Sequence, residues 1–565
     1  MRGKTEPMSN VDSAWLSMED PTNLMMVSGI MTFKTPLDFN RLRAVIQHRW
    51  LKFERFTQRV VKPWLPFGTP YWETDPTFDL NAHLRRVALP APGDQQALQE
   101  MVSDLMSTPL DYTKPLWQMH LIENYGDGCA FLTRIHHCIA DGIALMFVLM
   151  ALTDLTADAP WPSAESASKS NGDDERGMGG ALGALIKQAS NTLNAAVNLT
   201  GRIVHEGLET LNDPDHAREL AKIGGDGALA ASRLLLRSPD PITPFKGKLG
   251  VTKRAAWSRS LPLHEVKRIK KATQTTVNDV LISAMVGGLR HYLITHGKEV
   301  DGLNFRAAVP VNLRKDEDLG KLGNKFGLVF LSLPVGIADP LERLAEVHRR
   351  MDELKNSAEA PVAMGILSAM GLSPGEIQNL ILKIFAAKAT AVMTNVPGPQ
   401  FPLYMADKEI DSLMFWVPQS GRLGLGVSIL SYAGQVFLGV ATDRGLIPNP
   451  DVIIDGFYAE YEQLLALAQS GAALPVRTPP AVAPPPLAAA PPAAPAADDL
   501  RLVRGIGPKL AALLAANGIT TLAQLAQTDA AQLRTILHSV DGRYRIIDPA
   551  TWPAQAAKLA EASGE

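Results

Sequence analysis

Residues 135–142 read IHHCIADG, and they join an apolar, strand-like run to an apolar, helix-like run. Two adjacent histidines, His136 and His137, are followed at fixed spacing by Asp141 and Gly142. An imidazole in a dry place stays neutral and can take up a proton as a general base. Transfer of an acyl group from a thioester to a hydroxyl needs such a base.

The strand predicted over 129–137 places the two imidazoles on opposite faces, because successive side chains of a strand alternate. Thr133, Ile135 and His137 share one face, so only one histidine can enter a given cavity. We expect Gly142 to permit a tight turn at the start of the following helix. Asp141 is expected to accept helix N–H bonds or to pair with an arginine.

The alternative interpretation is that both histidines are satisfied core residues and that Asp141 is merely a helix cap. Chance occurrence of four specified residues in one window of such a chain is on the order of one in a thousand. A metal site is not predicted, because adjacent histidines on a strand point apart and no further His/Cys cluster lies nearby. The pattern therefore favours a general base.

Composition narrows the class of protein. The chain has 565 residues, 46% of them hydrophobic, and a net charge of only -3, which argues against general nucleic-acid binding. Its two cysteines, Cys129 and Cys138, indicate no disulfide framework and fit a reducing compartment. We expect neither a secretory signal at the N-terminus nor a membrane-spanning helix, although attachment to a membrane surface stays open.

Hydrophobic periodicity predicts two mixed α/β regions and a small helical unit. Strands are predicted over 27–33, 129–137, 305–312, 326–334, 423–430 and 436–442, and helices over 39–51, 141–155, 263–273 and 278–296. The predicted organisation is a first half (1–160), a flexible and helical crossover (161–250), a second half (251–470), a Pro/Ala-rich linker (471–498) and an all-α unit (499–565).

A long amphipathic helix is predicted over 182–211 within the crossover. Its apolar face is expected to pack on the protein or, alternatively, to contact lipid, although the strong basicity typical of lipid-binding helices is missing.

Several motifs together resemble one family. HHCIADG matches HHxxxDG, the signature of the CoA-dependent acyltransferase superfamily, which includes chloramphenicol acetyltransferase, carnitine acyltransferases and condensation domains of peptide synthetases. Further blocks resemble those of the bacterial wax ester synthase/diacylglycerol acyltransferase family: PLW at 115–117 with IE at 122–123, VNDVL at 277–281, PVNLR at 310–314 with GN at 323–324, TNVPGP at 394–399 and SYAG at 431–434.

This resemblance implies two chloramphenicol-acetyltransferase-like mixed-sheet halves with a tunnel between them and His137 at its middle. His137 would be the general base, His136 would orient the turn, and Asp141 would be structural, with Arg314 as its partner. Asn278 is a candidate for shaping the site, the alternative being a simple helix N-cap. The resemblance identifies no substrate-binding residue and no oxyanion donor.

The resemblance also implies substrates and a location. The acyl donor would be a long-chain acyl-CoA, used as a co-substrate with no bound cofactor and no metal. The acceptor would be diacylglycerol or a fatty alcohol. The protein would be cytoplasmic and peripherally associated with the inner face of the cytoplasmic membrane or with a lipid-droplet surface.

The C-terminal residues form an addition to that architecture. The GIGPK sequence at 505–509 resembles the turn of a helix-hairpin-helix unit, whose backbone N–H groups can bind a phosphate oxygen. Such hairpins contact the DNA backbone in many proteins, but this one is weakly basic. A protein-docking or structural role is the favoured interpretation over nucleic-acid contact through 499–565.

Two alternative functions remain at the level of sequence. One is a condensation-type acyltransferase that uses a carrier-protein thioester, against which the blocks outside HHxxxDG argue. The other is an inactive acyltransferase-fold scaffold tethered by its C-terminal unit, against which the intact His137 and Asp141 argue.

Overall fold

The computed structural model describes residues 5–63, 68–162, 238–314, 322–355, 375–419, 423–471, 498–517, 519–538 and 547–562. The chain divides into two compact units, residues 1–475 and 476–565. The helix predicted over 182–211 lies outside the described residues. So do most of the predicted crossover and nearly all of the predicted Pro/Ala-rich linker.

The first unit contains the mixed α/β architecture. Its helices are α1 (Asn10–Ser17), α2 (Phe39–His48), α3 (Leu80–His83), α4 (Gln95–Met106), α5 (Gly142–Leu152), α6 (Leu263–Thr273), α7 (Val277–Thr295), α8 (Pro340–Lys355), α9 (Gly375–Lys388) and α10 (Asp451–Gln469). Its strands are β1 (Thr5–Pro7), β2 (Met26–Phe33), β3 (Gln58–Val61), β4 (Tyr71–Thr74), β5 (Leu84–Ala88), β6 (Trp117–Tyr125), β7 (Gly128–His136), β8 (Lys253–Trp257), β9 (Leu261–Pro262), β10 (Phe305–Asn312), β11 (Phe326–Leu333), β12 (Ala391–Pro397), β13 (Tyr404–Met405), β14 (Lys408–Glu409), β15 (Ser412–Trp416), β16 (Leu425–Tyr432) and β17 (Gln435–Asp443).

The sheet of the first half has the strand order β15-β2-β7-β6-β5. β2 and β7 are antiparallel, with Val27 opposite Ile135 and Gly29 opposite Thr133. The strand β15 comes from late in the chain, yet it pairs with β2 and places Phe415 opposite Gly29. The first half is therefore not self-contained, because a strand of the second half covers what would otherwise be its exposed edge.

The sheet of the second half runs in the order β11-β10-β12-β16-β17-β8, with β9 also paired to β17. Its edge strand β8 lies against α4 of the first half. The backbone N–H groups of Lys253 and Ala255 donate to the hydroxyls of Ser107 and Ser103, at 2.8 and 2.9 Å. These bonds satisfy edge donors that would otherwise be unpaired, and they connect the two halves.

The helix that follows the histidines is apolar nearly all round, as expected for a buried helix. It begins at Gly142 and ends at Leu152, three residues earlier than predicted. Asp141 is its N-cap and accepts the N–H of Ala144 at 3.0 Å. A core cluster that contains Ala144 and Val148 also contains Val396 and Leu430 of the second half, so the two halves share a core.

The N-cap of α7 corrects one prediction. The cap is Thr276, whose hydroxyl accepts the N–H of Asp279, while the Asp279 carboxylate accepts the N–H of Thr276. Two orphan N–H groups are thus satisfied reciprocally, as in a capping box. Asn278 lies inside the helix as its second residue and is not the cap.

The second unit is helical and has its own core. Its helices are α11 (Pro508–Ala516), α12 (Leu522–Gln527), α13 (Ala530–His538) and α14 (Trp552–Ala562). Gly505 has φ +102°, a conformation that L side chains rarely adopt, and a Cβ there would lie 3.2 Å from the indole nitrogen of Trp552. Gly507 precedes Pro508, which occupies the first turn of α11, where a missing N–H costs nothing.

Within the described ranges, no helix is both long enough and apolar enough to cross a membrane.

Candidate active site

His137 lies immediately after β7, which ends at His136, one residue earlier than predicted. Its backbone N–H donates to the carbonyl of Met25 at 2.7 Å, which keeps the turn aligned with the sheet. The side chain is 6% exposed, and within the described residues its Nδ1 has no hydrogen-bond partner. Burial lowers the pKa of His137 to about 4, so the imidazole is neutral at pH 7.

His136 is fully buried and points to the other side of the sheet, as the strand alternation predicts. Its Nδ1 accepts the backbone N–H of Cys138 at 3.1 Å, so the proton is on Nε2. That nitrogen lies 3.0 Å from a carboxylate oxygen of Glu19 and 3.1 Å from the hydroxyl of Tyr112. These contacts fix the orientation of His136, and its bond to the N–H of Cys138 holds the backbone of the turn.

The contact with His136 also affects the pKa of Glu19. Burial raises the pKa of Glu19, but the contact with His136, the backbone N–H of Met25 and the hydroxyl of Tyr112 together outweigh burial, and the pKa lies below its usual value. The carboxylate therefore stays ionised and keeps its hold on His136.

Asp141 links the halves at the turn. Its carboxylate receives the guanidinium of Arg314, with Nη2 at 2.9 Å and Nε at 3.1 Å, and the backbone N–H of Lys325 at 2.9 Å. Both side chains of the ion pair are almost fully buried. Because Asp141 also caps α5, the same carboxylate holds the start of this helix and joins it to the second half. Its pairing with Arg314 is the one expected from the sequence.

Asn324, from the second half, holds the backbone of His137. Its amide nitrogen donates to the carbonyl of His137 at 2.8 Å and to the carboxylate of Asp12 at 2.7 Å. Its own carbonyl oxygen is buried and has no hydrogen-bond partner among the described residues. The side chain of Asn324 also contributes to raising the pKa of His137, against the larger effect of burial.

Trp15 of α1 covers the imidazole of His137. The two rings stack with centroids 4.1 Å apart and an interplanar angle of 17°. Phe326 contacts the same imidazole, with ring centroids 5.7 Å apart. An indole face at this distance excludes water and stabilises a positive charge on the imidazole when one forms.

Sequence reasoning missed the contribution of the N-terminal segment. Asp12 and Trp15 are three residues apart in α1, which places them on one side of the helix, and Glu19 follows the C-cap Met18. The N-cap Ser9 and the spacing that follows it could have predicted a helix with a polar and aromatic face. What they contact lies far away along the chain, so spacing alone could not give their role.

A cavity opens beside the turn, under α5, with about 730 Å³ of empty space including its opening to solvent. Its lining is apolar and includes Val27, Gly29, Met31, Thr133, Ile135, Gly142, Leu145, Met146, Leu149, Leu152, Leu413, Met414 and Phe415. Thr133 and Ile135 are on the face of β7 that continues to His137.

Gly142 begins α5 and lines the cavity. It has no left-handed backbone conformation, and among the described residues a Cβ added there would meet no atom within 4 Å. A side chain at this position would therefore enter open space. The turn that precedes α5 does not depend on a left-handed conformation of Gly142.

The remaining predicted residues lie outside this cluster of contacts. Asn278 accepts a hydrogen bond from the amide of Asn395 at 2.8 Å, which joins α7 to β12. At Gly398, in the TNVPGP block, a Cβ would lie 2.6 Å from the carbonyl oxygen of Ser431, so the close approach of that backbone requires glycine. Trp117 is a core residue, and its indole N–H donates to the carbonyl of Phe56.

Solved structures with the same fold are known. A wax ester synthase/diacylglycerol acyltransferase from Marinobacter aquaeolei VT8 aligns with a TM-score of 0.58 and 22% identity, over 82% of this chain and 99% of that chain. The first condensation domain of the calcium-dependent antibiotic synthetase aligns with a TM-score of 0.51 and 16% identity, over 84% of this chain and 98% of that domain. The paired mixed sheets with HHxxxDG at their junction define the chain as an acyltransferase-fold protein.

Sequence comparison gives the family. Residues 8–281 match the wax ester synthase/diacylglycerol acyltransferase catalytic domain, and residues 322–465 match the C-terminal domain of the same family. A Mycobacterium tuberculosis protein described as a probable diacylglycerol O-acyltransferase is 27% identical over 471 residues, covering 82% of this chain and 96% of that protein. The chain belongs to the wax ester synthase/diacylglycerol acyltransferase family and is an O-acyltransferase.

Residues 500–560 match a separate family, the RS2/RL21/YNQ2 helix-hairpin-helix domain, which confirms the predicted hairpin unit.

Proposed function

We propose that this protein transfers a long-chain acyl group from acyl-CoA to the hydroxyl of diacylglycerol or a fatty alcohol, forming triacylglycerol or a wax ester. The observation that carries the proposal is a neutral, buried imidazole, that of His137, in the turn between Ile135 and Gly142, two residues that line an apolar cavity. An apolar cavity suits an alkyl chain, and a neutral imidazole suits deprotonation of a hydroxyl.

In this mechanism both substrates occupy the site together. The imidazole of His137 takes the proton of the acceptor hydroxyl as its oxygen attacks the thioester carbonyl. The tetrahedral intermediate then collapses, the carbon–sulfur bond breaks, and the imidazolium returns the proton to the CoA thiolate. No covalent acyl-enzyme forms. A positioned base of this kind typically contributes about 10²- to 10⁴-fold to the rate.

The surroundings of His137 suit both of its protonation states. Burial keeps the imidazole neutral before the reaction, so it is ready to accept a proton. The indole face of Trp15 stabilises the imidazolium that forms in the transition state. Asp141 and Asn324 hold the turn in place without touching the reacting atoms, so we assign them structural and positioning roles.

A carrier-protein thioester is the alternative donor, and the shared fold with a condensation domain leaves it open. The family matches over residues 8–281 and 322–465 support acyl-CoA instead. The direct test is to incubate the full chain with palmitoyl-CoA and either hexadecanol or dioleoylglycerol, following free thiol and ester product. Thiol release that does not depend on the acceptor contradicts ester synthesis, and no release with any long-chain acceptor favours a scaffold.

His137→Ala is the diagnostic variant. We expect kcat to fall by about 10²- to 10⁴-fold with both acceptors. The matched control is His264→Ala, an exposed histidine in the first turn of α6, which leaves kcat unchanged. Thermal unfolding of both variants separates a lost base from a lost fold, and retained turnover in His137→Ala refutes the mechanism.

We also propose that the protein works at a lipid surface, since its acceptors partition into membranes and lipid droplets. Leu155 and Trp161, which follow α5, are about half exposed, and an exposed tryptophan is typical of membrane interfaces. Co-sedimentation with phosphatidylglycerol vesicles tests this proposal. Trp161→Ala is expected to reduce the bound fraction, whereas an equal bound fraction argues against contact through this segment.

A further inference from the structure

The cavity under α5 extends from the turn along β2 and β7. At one end, Ile135 and Val27 lie opposite each other on β7 and β2, next to the turn. Further along the same face come Gly29 opposite Thr133, and then Met31. The helix α5 runs over these strands, starting at the turn. The cavity is therefore a channel that leads away from the base between a helix and a sheet.

The length of this channel follows from α5, whose lining residues extend from Gly142 to Leu152. A helix rises 1.5 Å per residue, so the lined segment is roughly 15 Å long. With carbon–carbon bonds of about 1.5 Å, an extended alkyl chain advances roughly 1.25 Å per carbon, and about a dozen carbons fit. Walls of Val, Ile, Leu and Met side chains offer such a chain apolar contact throughout.

Gly29 lines the channel from an interior strand, β2, which lies between β15 and β7. Glycine weakens a strand interior and often marks a place where a ligand approaches the backbone closely. Among the described residues, a Cβ at Gly29 would have only one neighbour within 4 Å, the carbonyl oxygen of Met414 at 3.8 Å. No packing requirement excludes a side chain here, so the hydrogen of Gly29 serves to leave the channel open.

We propose that this channel receives a linear alkyl chain and that Gly29 determines how long a chain it accepts. The inference deepens the proposed function and rests on it. The alkyl chain can belong to the acyl-CoA or to the lipid acceptor, since both meet at His137 and both carry the same chemistry. A side chain at position 29 fills the channel partway along, so short chains still fit and long chains do not.

The test uses Gly29→Val and a matched control, Ile30→Val. Valine favours strands, so Gly29→Val is expected to fold with an unchanged or higher melting temperature. Ile30 is the next residue of β2 and faces the other side of the sheet, so its variant alters a buried strand residue without entering the channel. Gly29→Ala adds a smaller side chain and is expected to change the chain-length preference less than Gly29→Val does.

One arm of the experiment varies the donor from octanoyl-CoA through dodecanoyl-CoA to stearoyl-CoA with one fixed alcohol. The other arm varies the alcohol over the same lengths with one fixed acyl-CoA. In Gly29→Val we expect kcat/KM for the longest chain to fall about tenfold relative to the shortest chain, in one arm only. That arm identifies which substrate occupies the channel. Ile30→Val retains the parent profile in both arms.

Calorimetric binding of stearoyl-CoA and of stearyl alcohol provides a readout that does not depend on turnover. A loss of long-chain affinity in Gly29→Val supports the channel even where ester synthesis fails, and that result refutes the proposed function alone. Unchanged length profiles and unchanged long-chain binding in Gly29→Val overturn the role of Gly29.

Discussion

Two pairs of glycines in the first unit, one pair in each half, have opposite surroundings. In the first half, a Cβ at Gly29 or Gly142 would enter the open space between α5 and the sheet. In the second half, a Cβ at Gly288 of α7 would lie 2.6 Å from the backbone carbonyl of Ile453, and one at Gly456 of α10 would lie 3.0 Å from the Cα of Gly288. Glycine leaves a cavity in one half and closes a helix pair in the other.

This difference shows how similar mixed-sheet halves acquire separate tasks. The second half packs α7 tightly against α10 and supplies Arg314, Asn324 and Phe326 to the neighbouring turn. The first half carries His137 and α5, and the cavity beneath α5 is lined by residues of both halves. Rigid packing in the second half can hold the turn in position beside this cavity.

The largest effect on this arrangement is expected from removing the negative charge of Asp141, which pairs with Arg314 and joins the two halves. In Asp141→Asn the cap of α5 survives, because asparagine caps helices well, but the buried carboxylate opposite Arg314 is lost. We expect the free energy of unfolding to fall by roughly 3–5 kcal/mol, since a charge is left buried. Denaturant unfolding measures this loss.

The matched control for this prediction is Asp411→Asn. Asp411 pairs with Lys34 at the surface, where the two side chains are 41% and 83% exposed. Solvent screens such pairs, so this variant is expected to unfold like the parent. Equal stability of Asp141→Asn and Asp411→Asn contradicts a joining role for the buried pair.

A second prediction tests the two uses of glycine directly. Gly288→Ala is expected to lower the free energy of unfolding by about 1–3 kcal/mol, because the added methyl group meets backbone that cannot move aside. Gly29→Ala, whose methyl group enters open space, is expected to unfold at the same denaturant concentration as the parent or a higher one. If both variants lose stability equally, the contrast between the halves is wrong.

A third prediction concerns the indole that stacks on the base. Trp15→Leu keeps an apolar cover but removes the aromatic face, and kcat is expected to fall about tenfold, equivalent to about 1.4 kcal/mol of transition-state stabilisation. KM should change little, since the contact is with the imidazole rather than with a substrate. Trp15→Phe is expected to restore part of kcat. A loss confined to KM argues against this positioning role.

The smallest expected effect is a dependence of stability on pH. Burial lowers the pKa of His137 from 6.5 to about 4 in the folded protein. Between these pH values the unfolded chain binds more protons than the folded one, so stability is complete above pH 6.5 and declines as pH falls toward about 4. Melting temperatures of the parent should therefore decrease more steeply on acidification than those of His137→Gln.

His120 has a similar pKa, which burial and then the charge of Arg134 lower to about 4, and it is present in both proteins. Its contribution cancels in the comparison, so parallel melting curves for parent and His137→Gln refute a neutral buried His137.

Much of the fold was predictable because the strands and helices carry strong periodicity. The limits of β10 and α6 match their predictions at both ends, and α5 was recognisable as a buried helix from its apolar composition. The joining of β15 to β2 was not predictable, because it pairs residues nearly 400 positions apart that share no local pattern. The cap of α7 was misplaced because threonine and asparagine are both good caps.

The amino-acid sequence by itself determined the family, the two-histidine turn and the alternation that directs His137 and His136 to opposite faces, because these depend on local spacing and on recognisable motifs. Only the tertiary structure decided what surrounds the base. The stacking of Trp15, the hold of Asn324 and the channel past Gly29 arise from segments remote in the chain, and contacts of this kind are set by packing in three dimensions rather than by neighbouring residues.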